Sequence, residues 1–405
     1  MPDRKMNKLK VISWDDDKQY SLVTGGLIYA VMSKLKFFEQ THKGLMKTAL
    51  FLGLITWSPL LFVTMIDGTI TGAKVEINFV EDFLIHTKLL LIVPFLILTE
   101  RLIDSDYDGY VNSIRRMVGP EKEDRFELIS ARIDRLSNSL LPEILFLMII
   151  YTVVFLISES AAPKFTKWDY LPKGSSGIDL TIAGWYELLI SMPVYQLLIF
   201  RWIWRWLLWA YSVFMYSRLN LKINSIHADQ MAGMEFLNIL PLWFGILSLS
   251  LSVIFAAQTG MEIIYGNASL KDFVNPIIGY VTVLSLILYL PLLFFVPALI
   301  KAKTKGIYYY GGIAQYHNNL FSKKWLEGEL PKDENLLGSV DNSSLADLNG
   351  AYQQSISEMN IIPINLRWMM GTALALLVPF LPLLGTYYSM GEFLEMMSKV
   401  IFGGL

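Results

Sequence analysis

The sequence predicts an all-α polytopic membrane protein with seven transmembrane helices, cytoplasmic helical extensions, an inside N-terminus and an outside C-terminus. Of its 405 residues, 54% are hydrophobic and only 17% are charged, whereas a soluble domain carries roughly 25% charged residues. The hydrophobic residues gather in runs of about 18 or more, the length that predicts a membrane-spanning helix. Lys and Arg are concentrated in alternate connecting segments, which indicates the orientation.

Seven runs are long enough to cross a hydrocarbon core, which takes about 20 residues of helix. They lie near Leu45–Ile66, Val80–Leu102, Leu140–Ser158, Ile182–Tyr211, Glu235–Ala257, Ile277–Ile300 and Trp368–Tyr388. Most contain a proline, which predicts ordinary kinks, because neighbouring groups in a membrane protein satisfy the freed carbonyls.

The basic residues place both termini. The segment up to Lys43 and the segments 101–138, 201–235 and 301–367 contain 26 Lys and Arg, and the alternate segments contain six. The basic side of a membrane protein faces the cytoplasm. We therefore expect the C-terminus outside, unless Trp368–Leu405 forms a re-entrant hairpin.

Three helices are expected to outgrow the bilayer on the cytoplasmic side. The fourth runs from Ile182 to Lys222, about 60 Å at 1.5 Å per residue, which is twice the hydrocarbon thickness. The fifth is expected from Asp229 to beyond Met261, and the sixth towards Tyr310. A polar loop over Lys323–Asn342 and a helix over Leu345–Met359 are expected before the last span. The expected parts are a cytoplasmic N-terminal segment (1–44), six spans with cytoplasmic helical extensions (45–300, extensions 101–138 and 205–235), a cytoplasmic loop and helix (301–365), and the last span with an outer amphipathic tail (366–405).

Several chemistries are excluded or disfavoured. The chain has no cysteine, which excludes disulfides and thiolate metal sites. It also lacks a phosphate-binding P-loop, a dinucleotide glycine fingerprint and an HExxH motif. We predict no catalytic residue, no cofactor and no metal. The net charge of −2 gives no reason to expect a nucleic-acid partner, so membrane lipids are the expected surroundings.

A polar group marks the outer end of the second span. It comprises Glu81, Asp82, His86 and Lys88, and the last two lie inside the apolar run. Ionisable groups at membrane depth usually face protein or water, which favours an outer vestibule or a proton- or ligand-linked site. The alternative is an interfacial cluster with Lys88 extending outward to the headgroups.

The stretch "RWIWRWLLW" (201–209) places Arg201 and Arg205 four residues apart, on one face of the fourth helix. Tryptophan and arginine are both typical of the headgroup level, where arginine meets phosphates. The pair therefore suits a lipid-headgroup or anion site, an ion pair with Glu143 or Glu100 on neighbouring helices, or a plain interfacial anchor.

The most polar central stretch is "NSIHADQMAG" (224–233). His227 and Asp229 offer two metal ligands, but no third ligand follows at a familiar spacing. Asp is a favoured N-cap residue, so we expect Asp229 to cap the fifth helix, while Gly233 permits close packing.

The last span, "GTALALLVPFLPLLGTYY", carries small or hydroxyl residues at Gly371, Thr372 and Thr386. Apolar walls with occasional hydroxyls suit a pore that gates by dewetting, and they suit helix packing equally well.

Several stretches resemble an uncharacterised bacterial family of polytopic inner-membrane proteins. They include "LITWSPLLFVTMIDG" (54–68), "IHTKLLLIVPFLILTERLID" (85–104), "LLGSVDNSSLADL" (336–348) and "LVPFLPLLGTYYSMGEFLEMM" (377–397). Within a motif of that family the chain keeps His227, Asp229, Gly233, Phe236 and Leu237, and departs at Ala228, Gln230, Met231, Ala232, Met234 and Glu235. The resemblance implies a multi-pass inner-membrane protein and no particular activity.

In topology alone, the chain is similar to the insect chemoreceptor channels, which are tetramers whose last helix lines a central pore. The leading hypothesis is therefore a homo-oligomeric bacterial inner-membrane ion channel or ligand-responsive pore, tetrameric by analogy. The alternatives are a non-conducting membrane sensor or assembly partner, and a membrane enzyme that modifies lipid headgroups through His227, Asp229, Arg201 and Arg205.

Overall fold

The computed structural model describes residues 19–23, 42–72, 74–157, 166–173, 177–328 and 340–386. Most of them are helical, and seven helices are long and apolar enough to cross a membrane. The all-α class is thereby confirmed, and a helix long and apolar enough to cross a membrane lies at each of the seven predicted spans. We number the helices α1 His42–Asp67, α2 Phe83–Met117, α3 Glu123–Ser137, α4 Leu141–Ile157, α5 Ile182–Tyr216, α6 Glu235–Tyr265, α7 Leu270–Trp325, α8 Val340–Gln353 and α9 Leu366–Thr386.

The helices run alternately between two ends of a bundle. The hairpin end carries the only described strands, β1 Tyr170–Lys173 and β2 Gly177–Leu180, which pair antiparallel with Tyr170 opposite Leu180. The loop end carries the irregular segment 217–234, between α5 and α6. The hairpin was not predicted, because two strands of four residues are too short to show an alternating pattern.

Two helices contain a π-helical turn just before a proline. In α2 the turn is Thr87–Ile92 and Pro94 follows. In α5 the turn is Glu187–Ser191 and Pro193 follows. A proline ring clashes with the carbonyl four residues earlier, and in each helix that carbonyl lies in the wider π-turn. In α5 it belongs to Leu189, and it accepts a hydrogen bond from the Tyr151 hydroxyl at 3.0 Å.

The predicted helical extension over 205–235 is wrong in its second half. α5 ends at Tyr216, and the next eighteen residues are irregular. Their backbone enters the left-handed region at Asn220, Gln230, Ala232 and Gly233, a conformation that a helix cannot contain. α6 therefore begins at Glu235 rather than at Asp229.

The other segments predicted as extensions are helical. α2 and α3 continue as helices through the segment 101–138, with short connections around Pro120 and Asn138. α7 continues past Tyr310 to Trp325 and spans 56 residues. α8 runs beside it, and the His317 Nε2 and Ser344 Oγ atoms are 2.9 Å apart. The loop expected over Lys323–Asn342 lies largely outside the described residues, as does the tail after Thr386.

The core of the bundle lies where α5 is enclosed by α2, α3, α6 and α7. Large buried side chains there include Phe126, Trp209, Tyr216, Tyr289 and Phe295. The rings of Phe126 and Tyr216 stack at 5.4 Å. α2 and α5 are thus the central pair, and both candidate sites lie on them.

Candidate functional site

The first site is an arginine clamp formed by Glu100, Glu143, Arg201 and Arg205. Glu100 Oε1 lies 3.0 Å from Arg201 Nη1 and 3.1 Å from Arg205 Nη1. Glu143 Oε1, at the start of α4, lies 3.4 Å from Arg201 Nε. All four side chains are at most 6% exposed. Two positive and two negative charges therefore neutralise one another inside the bundle.

A short N-terminal segment, Tyr20–Val23, completes the clamp. The Val23 carbonyl accepts hydrogen bonds from Arg201 Nη2 at 3.2 Å and from Arg205 Nη2 at 3.0 Å. Ser21 Oγ, Leu22 N and Val23 N donate to Asp104 Oδ1. The expected interfacial anchor and the expected headgroup site are both wrong for this pair, because neither guanidinium reaches the surface. The ion pair with Glu143 and Glu100 is correct.

The indole beside the clamp is also fixed. Trp202 Nε1 donates to the Leu96 carbonyl at 3.1 Å, and the Arg205 guanidinium lies 4.6 Å from the centre of the Trp202 ring. α2 and α5 are therefore joined at this level by ion pairs and a side chain–backbone hydrogen bond, while the cation–π contact within α5 holds the Trp202 ring beside Arg205.

The second site is a mixed-charge cluster at the hairpin end, which consists of Asp82, Lys88, Lys167, Asp169 and Glu187. Asp82 is the N-cap of α2, and its Oδ1 atom accepts the N–H of Ile85 at 3.3 Å. Its other oxygen, Oδ2, lies 3.1 Å from Trp168 Nε1 and 3.5 Å from Lys167 Nζ. Lys88 and Glu187 lie on the π-turns of α2 and α5, and the charges of all five groups act on one another.

The loop that carries Lys167 and Asp169 is held on two sides. On one side Ile77 N donates to Thr166 O and Trp168 N donates to Ile77 O, each at 3.1 Å. On the other side Thr181 N donates to the Asp169 carbonyl at 3.0 Å. A Cβ on Gly184 would lie 1.9 Å from that carbonyl oxygen, so the close approach of loop and helix requires glycine there.

Aromatic rings separate this cluster from the rest of the bundle. Phe79 packs edge-on against His86 at 4.9 Å and against Trp168 at 5.1 Å. Trp57 Nε1 donates to His86 Nδ1 at 2.9 Å. His86 is therefore a hydrogen-bond acceptor in an aromatic group, and it is not one of the five interacting charges.

Asp169 is the least satisfied carboxyl group of the cluster. Its Oδ1 atom is buried and has no hydrogen-bond partner in the described part of the chain. Burial raises the pKa of Asp169 to about 6, although Lys167 acts in the opposite direction. Lys167, Asp169 and Glu187 were not predicted, because they lie 79 to 99 residues after Lys88 and only folding brings them together.

His227 and Asp229 organise the irregular segment at the loop end. Asp229 accepts the N–H groups of Met231, Gly233 and Glu235 at 2.9 to 3.0 Å. Burial opposes ionisation, but these three donors hold the pKa of Asp229 below its ordinary value. Asp229 is thus no N-cap of a regular helix. It closes a left-handed turn and also binds the first N–H of α6.

Of the pore-lining candidates in α9, only Gly371 and Thr386 lie on an exposed face. Thr372 is 2% exposed, and its hydroxyl bonds to Tyr289 Oη and to Trp368 O. The prediction that Thr372 lines a pore is therefore wrong for a pore that runs along the exposed face of α9. Thr372 packs α9 against α7.

The residues that the enzyme hypothesis requires do not form one site. The contacts described above place the two arginines in the clamp and place His227 with Asp229 in the 217–234 segment. Among the described residues, no group of three or more His, Asp or Glu side chains is arranged to hold a metal ion. Comparisons with protein-family models, with curated proteins and with solved structures find no match for this chain.

Proposed function

We propose that the protein is a ligand-responsive ion channel of a bacterial inner membrane, assembled from several copies of this chain, with α9 lining the path. One observation carries this proposal. α9 packs on α6 and α7 through one face, whereas Gly371, Leu374 and Val378 on its other face are exposed. Leu374 and Val378 are 64% and 56% exposed, and nothing lies within 4 Å of a Cβ built on Gly371.

An apolar, small-residue face of this kind suits a path that closes by dewetting. The charge distribution supports an orientation in which the loop end, with most of the Lys and Arg, faces the cytoplasm. In a symmetric ring, the exposed faces of α9 would meet at the axis.

Single-cysteine labelling tests the path, because the chain contains no native thiol. We expect Gly371→Cys and Val378→Cys to react with a charged, membrane-impermeant thiosulfonate in vesicles, and to lose ion flux when they react. Thr372→Cys, on the buried face, is the matched control and should stay unreactive. A lipid-facing α9 would leave all three thiols unmodified, and that result would contradict the proposal.

A second exposed face supports the assembly. Tyr309, Ile313, Tyr316 and Leu320 of α7 are spaced by four, three and four residues, the spacing of a coiled-coil seam. They are 64%, 41%, 67% and 50% exposed. A second copy of α7 would cover such a seam.

Oligomer size in detergent tests this seam. We expect Tyr316→Glu combined with Leu320→Glu to shift the protein to a smaller species, as measured by light scattering. Tyr308→Glu is the control, since Tyr308 is 78% exposed but lies off the seam. A wild-type protein that is monomeric in detergent and in lipid nanodiscs would refute both the assembly and the channel.

A further inference from the structure

The mixed-charge cluster contains an unequal number of charges. Asp82, Asp169 and Glu187 are three carboxyl groups, and Lys88 and Lys167 are two ammonium groups. If all five were ionised, one negative charge would remain in excess. Asp82 is only 4% exposed and Trp168 is fully buried, whereas the other four charged side chains are half-buried, so an excess charge here would be only partly hydrated, which is costly.

We propose that this cluster binds one exchangeable proton, carried by the Asp169 carboxyl group, which neutralises the excess charge. Protonation forms the O–H bond on the carboxyl and converts the carboxylate into a neutral acid, and deprotonation returns the proton to water at the hairpin end. This site is independent of whether the protein conducts ions.

The hydrogen bonds favour Asp169 over Asp82. Both Asp82 oxygens accept hydrogen bonds, from Ile85 N and from Trp168 Nε1, and Lys167 stands beside it. Both Asp82 oxygens are therefore already paired with hydrogen-bond donors. Asp169 has instead a buried oxygen without a partner in the described part of the chain, and its pKa of about 6, raised by burial, agrees with the proton at that position.

A metal cation would fit this cluster less well than a proton. The two ammonium groups repel a cation. The described residues offer no set of three His or carboxyl ligands, whereas sodium and calcium require several oxygen ligands. A proton needs only one carboxyl oxygen.

The charged and titratable neighbours of Asp169 come from every element packed against it. Asp82 and Lys88 belong to α2, Glu187 to α5, and Lys167 and Tyr170 to its own loop and strand. Glu76, on the opposing loop, is exposed and acts on Tyr170. Loss of the proton places a new anion beside Glu187 and the start of α5, where the Asp169 backbone already contacts Thr181 and Gly184.

Infrared difference spectroscopy of the full chain in lipid vesicles tests the proposal. The carbonyl band of a protonated carboxylic acid is followed while the pH is raised from about 4 to about 8. We expect one band to disappear with a midpoint near pH 6, and to be absent from Asp169→Asn. The matched control, Glu81→Gln, replaces an exposed acid at the same end of the bundle and should leave the band unchanged.

Two further variants keep the test decisive if Asp169→Asn fails to fold. Lys167→Met removes a positive neighbour and should raise the midpoint, and Glu187→Gln removes a negative neighbour and should lower it. A band that is still present in Asp169→Asn would overturn the assignment. A band that is absent from Glu187→Gln but present in Asp169→Asn would assign the proton to Glu187 instead. A midpoint that follows the sodium concentration when choline chloride is replaced by sodium chloride would overturn the proton in favour of a metal cation.

Discussion

The arginine clamp and the mixed-charge cluster lie on the same two helices, yet they treat charge in opposite ways. Along α2 and α5 they are about 20 Å apart at 1.5 Å per residue. The clamp balances two arginines against two glutamates at 3.0 to 3.4 Å, with side chains at most 6% exposed. The cluster sets three carboxyl groups against two ammonium groups and leaves a buried Asp169 oxygen without a partner in the described residues.

This difference in charge balance indicates different roles for the two sites, stability for the clamp and response for the cluster. A fully paired, desolvated group of charges has one favourable arrangement and resists change, because the loss of any member leaves an uncompensated charge. An unbalanced group must exchange something with its surroundings. We therefore expect the clamp to fix α2 against α5, and the cluster to respond to conditions at the hairpin end.

The largest expected effect comes from breaking the clamp. Arg205→Ala leaves Glu100 and the Val23 carbonyl with fewer donors inside the bundle, and it should cost about 3–5 kcal/mol. Thermal unfolding in detergent would measure the loss. Arg218→Ala is the control, because Arg218 lies two residues beyond the end of α5, is exposed and stacks on Phe214; it should cost less than about 1 kcal/mol. Equal losses would mean that the clamp stabilises nothing.

A smaller effect is expected where the cluster meets α5. Gly184→Ala would place a Cβ 1.9 Å from the Asp169 carbonyl oxygen, so the loop must shift, at a cost of about 1–3 kcal/mol. Gly279→Ala is the matched control, since nothing lies within 4 Å of its Cβ and alanine favours a helix over glycine by about 1 kcal/mol. The two variants should therefore move the melting temperature in opposite directions, and a neutral Gly184→Ala would show that loop and helix are not tightly joined.

The pH dependence of stability should distinguish the cluster from the clamp. The pKa of Asp169 is raised from 3.8 to about 6, so its folded form binds the proton more tightly than its unfolded form. The resulting stability is complete below about pH 4 and is lost as the pH rises through about 6. Allowing for partial exposure, we expect a loss of about 1–2 kcal/mol between pH 4 and 7.

Asp169→Asn should remove that slope from the melting temperature, because an amide does not titrate in this range. Glu81→Gln should keep it. A slope that persists in Asp169→Asn would assign the pH dependence to another group and would weaken the contrast between the two sites.

The smallest effect is expected at the loop end, where Asp229 serves for comparison with Asp169 because no exchangeable proton is proposed for it. Asp229→Ala removes the acceptor for three N–H groups and should cost about 0.5–2 kcal/mol. His227→Ala, with a side chain 53% exposed, should cost almost nothing. The pKa of Asp229 is depressed, so its stabilisation persists above its unfolded value near pH 4 and is lost only as the pH falls further. A large effect of His227→Ala would point to chemistry there instead.

The sequence was sufficient for the long helices, for all four side chains of the clamp and for two of the five charges of the cluster. Hydropathy located all seven spans, because their length and composition are set by the bilayer. The spacing of Arg201 and Arg205 placed both on one face, and the isolated Glu100 and Glu143 were the available counter-charges. Lys88 stood out because it interrupts an apolar run.

The remaining features depend on contacts that no local pattern records. The Val23 carbonyl reaches the arginines across 178 and 182 residues of sequence. Asp169 and Glu187 enter the cluster through the fit of a loop against Gly184. Pro94 and Pro193 predicted kinks. Whether a helix accommodates a proline by a kink or by a π-turn depends on the helices packed against it. The left-handed residues of 217–234 ended a helix that periodicity alone would have continued.

The length of α7 has a mechanical consequence. Its 56 residues amount to about 84 Å of helix, so about 50 Å must project beyond a 30 Å hydrocarbon core. A tilt of about 5° within the bilayer would displace the far tip sideways by about 4 Å, as a lever amplifies rotation about its fulcrum. The short 3₁₀ segment Leu290–Phe295, with Pro291 buried within it, is the natural place for that fulcrum. A small rearrangement among the spans would therefore produce a larger displacement at Trp325 and α8.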